Sequence, residues 1–95
     1  MQKQDDIVII GAGNVATHLA QALHHAGFRI SQVWSRHAAS AAFIAEKVGA
    51  KVVQSLSEIQ PAATLYLFSV KDDAYEDILA QLPPVNGAAV HTSGT

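Results

Sequence analysis

The residues best suited to chemistry form a short run of small side chains, where residues 11–16 read Gly-Ala-Gly-Asn-Val-Ala. This G-x-G-x-x-A pattern is informative only between a strand and a helix, and an apolar run precedes it while a helical pattern follows. Gly11 permits a tight turn, Gly13 leaves the backbone open to a ligand, and Ala16 lets the helix pack closely on the strand. The free N–H groups at the start of such a helix attract a diphosphate. The pattern therefore predicts a dinucleotide site, the alternative being a glycine turn in an unrelated α/β protein.

A second candidate group ends the second predicted strand, where residues 35–37 read Ser-Arg-His. An NAD-binding domain commonly has Asp or Glu here, about 20 residues past the glycines, to bind the adenosine ribose hydroxyls. This chain has no carboxylate between the glycines and Glu46. Arg36 can instead hold a ribose 2′-phosphate bidentately, with Ser35 as a further donor and His37 near the adenine. The pattern favours NADP over NAD, unless Arg36 is an ordinary solvated surface residue.

Two further polar groups follow the fourth and fifth predicted strands. Ser69, Val70 and Lys71 lie at the carboxyl end of the fourth strand, which faces the ligand crevice in an open parallel sheet. We expect Ser69 or the backbone there to contact a cofactor, whereas Lys71 and Asp72 fit the start of a helix better. Residues 91–94 read His-Thr-Ser-Gly and follow the fifth strand, either near a nicotinamide or as a simple polar loop.

Several kinds of chemistry have no support in the sequence. Cysteine is absent, which excludes disulfides, thiolate metal sites and cysteine nucleophiles. Neither a G-x-S-x-G nucleophile elbow nor a P-loop occurs. His18, His24 and His25 lie on the first predicted helix without a suitably spaced third ligand, so they indicate a surface and no metal site. No catalytic residue can be identified from these patterns.

The elements that must position these residues alternate between strand and helix. Residues 7–10 are an unbroken β-branched run, typical of a strand buried on both faces, and helical spacing of apolar residues follows over 14–26. The same alternation predicts further strands over 28–34, 51–53, 64–70 and 88–90, with helices ending at Gly49 and before Pro83. We therefore expect an α/β fold, a Rossmann-like doubly wound parallel sheet of about five strands in the order 3-2-1-4-5.

Length and composition limit the remaining possibilities. The 95 residues suffice for one domain, and 49% apolar against 15% charged residues is typical of a chain with a buried core. The net charge of −2 predicts no nucleic-acid partner and no anionic membrane surface. No apolar run approaches the roughly 18 residues of a membrane span, and no signal peptide is recognisable. We expect a soluble, cytoplasmic protein.

These motifs resemble the N-terminal domain of NADP oxidoreductases, a superfamily that includes pyrroline-5-carboxylate reductases and deazaflavin-dependent NADP reductases. The resemblance extends from Ile7 onward and is carried by the glycine loop, Trp-Ser-Arg, Phe-Ser-Val-Lys-Asp and His-Thr-Ser-Gly. The chain is most similar to a bacterial family of Rossmann-like proteins in which a helical C-terminal domain follows the last motif. The resemblance implies that residues 1–95 are a truncated NADP-binding Rossmann-like domain without that C-terminal domain, which usually forms the homodimer.

The resemblance also implies a position for each cofactor group. It puts the pyrophosphate at Gly11, Gly13, Asn14 and Val15, the 2′-phosphate at Ser35 and Arg36, the ribose near Ser69, Val70 and Lys71, and the nicotinamide near Ser93 and Gly94.

The leading hypothesis is the NADP-binding domain of an oxidoreductase that transfers hydride between NADP(H) and a small carbonyl or imine substrate. The cofactor supplies that chemistry while the protein binds and orients it, so we expect the isolated domain to be inactive. One alternative is a non-catalytic nucleotide-sensing or regulatory module with the same phosphate loop. Another is a different Rossmann ligand, a flavin nucleotide or S-adenosylmethionine. Ser35 and Arg36 argue against S-adenosylmethionine because that ligand carries no phosphate.

Overall fold

A computed structural model describes residues 6–93, which form five strands and three α-helices. The elements in chain order are β1 (Asp6–Ile10), α1 (Asn14–His25), β2 (Arg29–Trp34), α2 (Ala38–Val48), β3 (Lys51–Val53), a 3₁₀ turn (Leu56–Glu58), β4 (Leu65–Val70), α3 (Asp72–Gln81) and β5 (Ala88–Ser93). Within residues 6–93, no helix has the length and apolar character needed to cross a membrane.

All five strands join one parallel sheet in the order β3-β2-β1-β4-β5. The predicted Rossmann-like sheet and its strand order are therefore confirmed. The order reverses between β1 and β4, and a crevice opens at such a switch point outside the carboxyl ends of the strands. At that end of β1, Ile10 lies between Trp34 of β2 and Phe68 of β4.

The central strand β1 is buried on both faces, as its β-branched run predicts. Successive side chains of a strand point to opposite faces, so Ile7 and Ile9 enter one core cluster while Val8 and Ile10 enter the other. All four side chains are fully buried. The burial of each side chain contributes about 1.5–3 kcal/mol to folding. Strand β1 therefore fixes the position of the residues that follow its carboxyl end.

The helices cover the two faces of the sheet unequally. Helices α1 and α2 pack on the face that contains Ile7 and Ile9, and Ala16 of α1 is fully buried there. Helix α3 and the 3₁₀ turn cover the other face, where Ile78 of α3 and Trp34 of β2 belong to one cluster. Helix α2 ends, as predicted, at Gly49, whose φ of 70° is a left-handed C-cap.

Strand β5 extends further than its apolar residues indicate. The sequence predicts a strand over 88–90 with His-Thr-Ser-Gly after its end, but the strand continues to Ser93. The reason is its partner, because β4 runs to Val70 and pairs residue by residue with His91, Thr92 and Ser93. The predicted end of the strand at residue 90 is therefore wrong, and so is the alternative of a polar loop over residues 91–93, since backbone pairing with a buried neighbour outweighs the polarity of these side chains.

Candidate functional site

A cleft of about 520 Å³ lies at the carboxyl edge of the sheet. Its walls come from the ends of β1, β2 and β4 and from one side of α3. The lining residues are Gly11, Ala12, Trp34, Ser35, Arg36, His37, Ser69, Val70, Lys71, Asp73, Ala74, Asp77 and Ile78. A volume of this size is typical of a small-molecule site.

Gly11 occupies a position that no other residue fits. Its φ of 104° is strained for any L side chain, and a Cβ there would lie 2.1 Å from the backbone oxygen of Ser69. Its N–H donates to the backbone oxygen of Trp34 at 2.7 Å. Gly11 therefore holds the ends of β1, β2 and β4 together, which is a structural reason for the predicted tight turn.

Gly13 differs from Gly11 because its backbone does not require glycine. Its φ of −82° and ψ of −168° are extended values that any residue adopts. As the N-cap of α1 it provides no side-chain hydrogen bond, so the first N–H groups of the helix lack a capping side chain from this residue. The backbone oxygen of Gly13 instead accepts from the Thr17 hydroxyl at 2.9 Å. The missing side chain at Gly13 leaves the end of the helix accessible.

The end of β2 presents a cation to the cleft. Arg36 is exposed, lines the cleft and forms no ion pair within the described part of the chain. Ser35 is half-buried, and its Oγ accepts from the N–H of His37 at 3.3 Å, which orders the turn around Arg36. His37 is the N-cap residue of α2 and also lines the cleft. A free guanidinium without a carboxylate beside it suits a phosphate ligand.

The end of β4 contains a buried hydroxyl without a hydrogen bond. Ser69 is 4% exposed, and its Oγ has no partner among the described residues. Leaving such a group unpaired costs about 1–3 kcal/mol, so a polar group that enters the cleft and bonds to it would recover that energy. Val70 is half-buried. Lys71 is exposed and is the N-cap residue of α3, which begins at Asp72.

The structure therefore brings most of the predicted residues together. Seven of them line the cleft, namely Gly11, Ser35, Arg36, His37, Ser69, Val70 and Lys71. Gly13, Asn14 and Val15 lie at the start of α1 and are not part of its lining. Ser93 ends β5 in register with Val70, and Gly94 lies outside the described residues.

Sequence reasoning missed the wall formed by α3. Asp73 and Asp77 line the cleft one helical turn apart, as do Ala74 and Ile78. Their i, i+4 spacing places each pair on one side of the helix, but the spacing alone does not reveal which side faces the cleft.

An aromatic stack beside β5 was also missed. The Tyr75 ring lies parallel to the His91 ring, with 4.1 Å between centroids, and meets Phe68 edge-on at 5.2 Å. The Nε2 of His91 lies 2.9 Å from the backbone oxygen of Val70. These contacts fix α3 against the ends of β4 and β5. No cluster of three His, Asp or Glu side chains able to hold a metal ion occurs within residues 6–93.

A family model described as coenzyme F420-dependent NADP oxidoreductase matches residues 6–90 of the chain. The search of the curated proteins found no match.

Solved structures give the same fold with high similarity. A Bacteroides fragilis protein predicted to be an NADP oxidoreductase has 44% identity and a TM-score of 0.89, over 96% of this chain and 36% of that one. An Aspergillus terreus imine reductase in complex with NADPH4 and a dibenzazepine has 27% identity and a TM-score of 0.78, over 96% and 33%. An Aspergillus terreus reductive aminase in complex with NADPH and ethyl-5-oxohexanoate has 26% identity and a TM-score of 0.74, over 94% and 32%. The chain thus spans about a third of the length of these proteins.

Proposed function

The chain belongs to the family of coenzyme F420-dependent NADP oxidoreductases, and we propose that its cleft binds NADP(H) for hydride transfer to a small substrate. The observation that carries this proposal is that the glycine turn and an arginine without an ion pair among the described residues border the same cleft. Gly11 and Ala12 begin the loop that leads to the open end of α1, and Arg36 lies at the end of the neighbouring strand β2. A diphosphate and a second phosphate suit these two positions respectively.

Each part of the cofactor has a proposed contact. The pyrophosphate lies on the N–H groups of residues 11–15, where the dipole of α1 favours negative charge. The 2′-phosphate bonds to Arg36 and Ser35, with His37 close by. The hydroxyl of Ser69 gains its missing hydrogen bond from a ribose, near Val70 and Lys71. The nicotinamide half extends toward the end of β5 at Ser93.

We further propose that the substrate is a small carbonyl or imine. NADPH supplies the hydride, so the chain's own residues need only bind and orient the cofactor. The similarity to imine reductases and a reductive aminase at 26–27% identity supports a carbon–nitrogen double bond as the acceptor. Those proteins are about three times as long as this chain, so we propose that turnover requires further protein around the substrate.

Cofactor preference tests the proposal, with NADPH and NADH titrated against the chain and against Arg36→Ala. We expect NADPH to bind at least tenfold more tightly than NADH, and Arg36→Ala to remove most of that preference while sparing NADH affinity. Hydrogen bonds to charged groups contribute about 1.5–3 kcal/mol, and 1.4 kcal/mol corresponds to tenfold. Equal binding of both nucleotides by the unaltered chain would refute the assignment of Arg36.

Arg29→Ala is the matched control, because Arg29 is an exposed arginine at the opposite end of the same strand. Its ion pair with Asp6 joins a side chain that is 68% exposed to a carboxylate that is 22% exposed, so thermal unfolding must show that the variant remains folded. This variant should retain the full preference for NADPH. If it loses the preference as Arg36→Ala does, general surface charge and not a 2′-phosphate site is responsible.

The homodimer and the cytoplasmic location remain predictions. Light scattering of the chain would measure the first, and fractionation of cells that express it would measure the second. A monomer at all concentrations, or recovery outside the cytoplasm, contradicts the respective prediction.

A further inference from the structure

Asp77 is a carboxylate in the cleft that the fold does not explain. It is exposed on α3 and lines the cleft, and its carboxylate makes no hydrogen bond or ion pair within the described residues. Its backbone oxygen accepts a hydrogen bond from the Gln81 side-chain amide at 3.3 Å. Aspartate is a poor residue for the middle of a helix, where Glu, Lys or Ala costs less. Its position is therefore unfavourable for the helix and open to a ligand.

Asp73, one turn earlier, has an ordinary structural role that Asp77 lacks. It lies in the first turn of α3, where a negative charge stabilises the helix dipole. Asp77 lies in the second turn, where that stabilisation has largely decayed. A different observation indicates that this cleft receives a polar ligand, because Ser69, 4% exposed, lines the same cleft with an unpartnered hydroxyl.

The ligand group nearest Asp77 follows from the covalent structure of the cofactor, so this step rests on the proposed function. The adenine is bonded to C1′ of the ribose, next to the C2′ that carries the phosphate held by Arg36. The base therefore lies within a few bond lengths of that phosphate, and we place it inside the cleft, between the end of β2 and the remaining wall. That wall is α3, where Ala74 and Ile78 are apolar and Asp77 is the charged residue of the second turn that lines the cleft.

We propose that Asp77 recognises the amino edge of the base and selects adenine over hypoxanthine. An ionised carboxylate only accepts hydrogen bonds, and adenine offers its exocyclic amine as a donor. Hypoxanthine has a carbonyl oxygen at that position, which repels a carboxylate. The apolar side chains of Ala74 and Ile78 suit the flat face of either base, so Asp77 provides the discrimination.

The test compares NADPH with its reduced hypoxanthine analogue, nicotinamide hypoxanthine dinucleotide phosphate, by isothermal titration of the chain. We expect NADPH to bind about tenfold more tightly to the unaltered chain. Asp77→Asn should reduce that ratio to about twofold or less, because an amide can donate to the carbonyl of hypoxanthine. Glu76→Gln is the matched control, since Glu76 is an exposed neighbour on α3 that does not line the cleft. It should keep the tenfold ratio.

The outcomes separate this inference from the proposed function. If the unaltered chain binds both nucleotides equally, or if Asp77→Asn keeps the tenfold ratio, the role of Asp77 is wrong even where NADPH is preferred over NADH. If NADPH is not preferred over NADH, the proposed function itself fails. Thermal unfolding of each variant checks that it is folded, and Asp77→Ser replaces Asp77→Asn if the latter melts at a lower temperature. The serine variant must also lose the ratio for the inference to stand.

Discussion

The two edges of the sheet treat their polar side chains in opposite ways. At the amino edge they bond to one another. The Gln60 side chain donates to Ser31 Oγ at 2.6 Å and to Asp6 at 3.4 Å, while its N–H donates to Gln32 at 2.8 Å. Asp6 also pairs with Arg29 at 3.5 Å through Oδ1, although that oxygen forms no hydrogen bond.

The carboxyl edge leaves three of its polar side chains available, although Ser35 and His91 there have hydrogen-bond partners. Arg36 has no ion pair, the hydroxyl of Ser69 has no partner, and Asp77 carries an unengaged carboxylate within residues 6–93. A folded chain pairs its polar groups where only stability is at stake. The contrast teaches that the amino edge serves the fold, whereas the carboxyl edge retains unpaired groups that a ligand must complete.

The largest effect is expected at Gly11, which both the fold and the cleft require. Gly11→Ala should lower the free energy of unfolding by about 3 kcal/mol or more, because it combines a strained φ with a backbone clash at 2.1 Å. Urea unfolding measures the change. Gly27→Ala is the control, since its φ of 98° is similar but a Cβ there meets nothing within 4 Å. It should cost about 1–2 kcal/mol. An equal loss of stability in the two variants would mean that the contact with Ser69 adds nothing to the cost of the Gly11 substitution.

The sequence predicts the fold well because the features that determine it are local. The β-branched run of β1, the helical spacing of α1 and the glycine after α2 each specify an element without reference to the rest of the chain. The end of β5 was mispredicted because His91 and Thr92 are polar, and only the length of β4 keeps them in the sheet. Pairing between distant strands is not visible in a short window of sequence.

The site is predictable in part, because only some of its residues are recognisable from the local sequence. The glycine loop and Arg36 are recognisable because their chemistry depends on residue type and on a nearby strand end. Asp77 was missed because the side of α3 that faces the cleft is set by packing, where Ile78 meets the cluster that contains Trp34. The buried state of Ser69 was likewise hidden, because the residue type of a serine at a strand end does not reveal whether neighbouring elements cover it.

A smaller effect should separate the two glycines of the loop. Gly13→Ala should change the free energy of unfolding by less than about 1 kcal/mol, because its backbone is extended, yet lower NADPH affinity about tenfold. A methyl group there obstructs the approach of the pyrophosphate to the end of α1. Titration of NADPH and NADH contains its own control, because both carry a pyrophosphate and should weaken by the same factor. Loss confined to NADPH would relocate the effect to the 2′-phosphate.

The smallest effect is expected from the replacement of one serine at each edge. This pair of variants tests the contrast between the two edges most directly. Ser69→Ala removes a buried hydroxyl that has no partner, so stability should stay constant or rise by up to about 1 kcal/mol. NADPH affinity should fall by about threefold to fivefold. Ser31→Ala removes the hydroxyl that accepts from Gln60 at 2.6 Å. It should cost about 1 kcal/mol and leave NADPH affinity unchanged. If both variants lose the same stability and neither weakens NADPH, the hydroxyl of Ser69 is not reserved for a ligand and the two edges do not differ in kind.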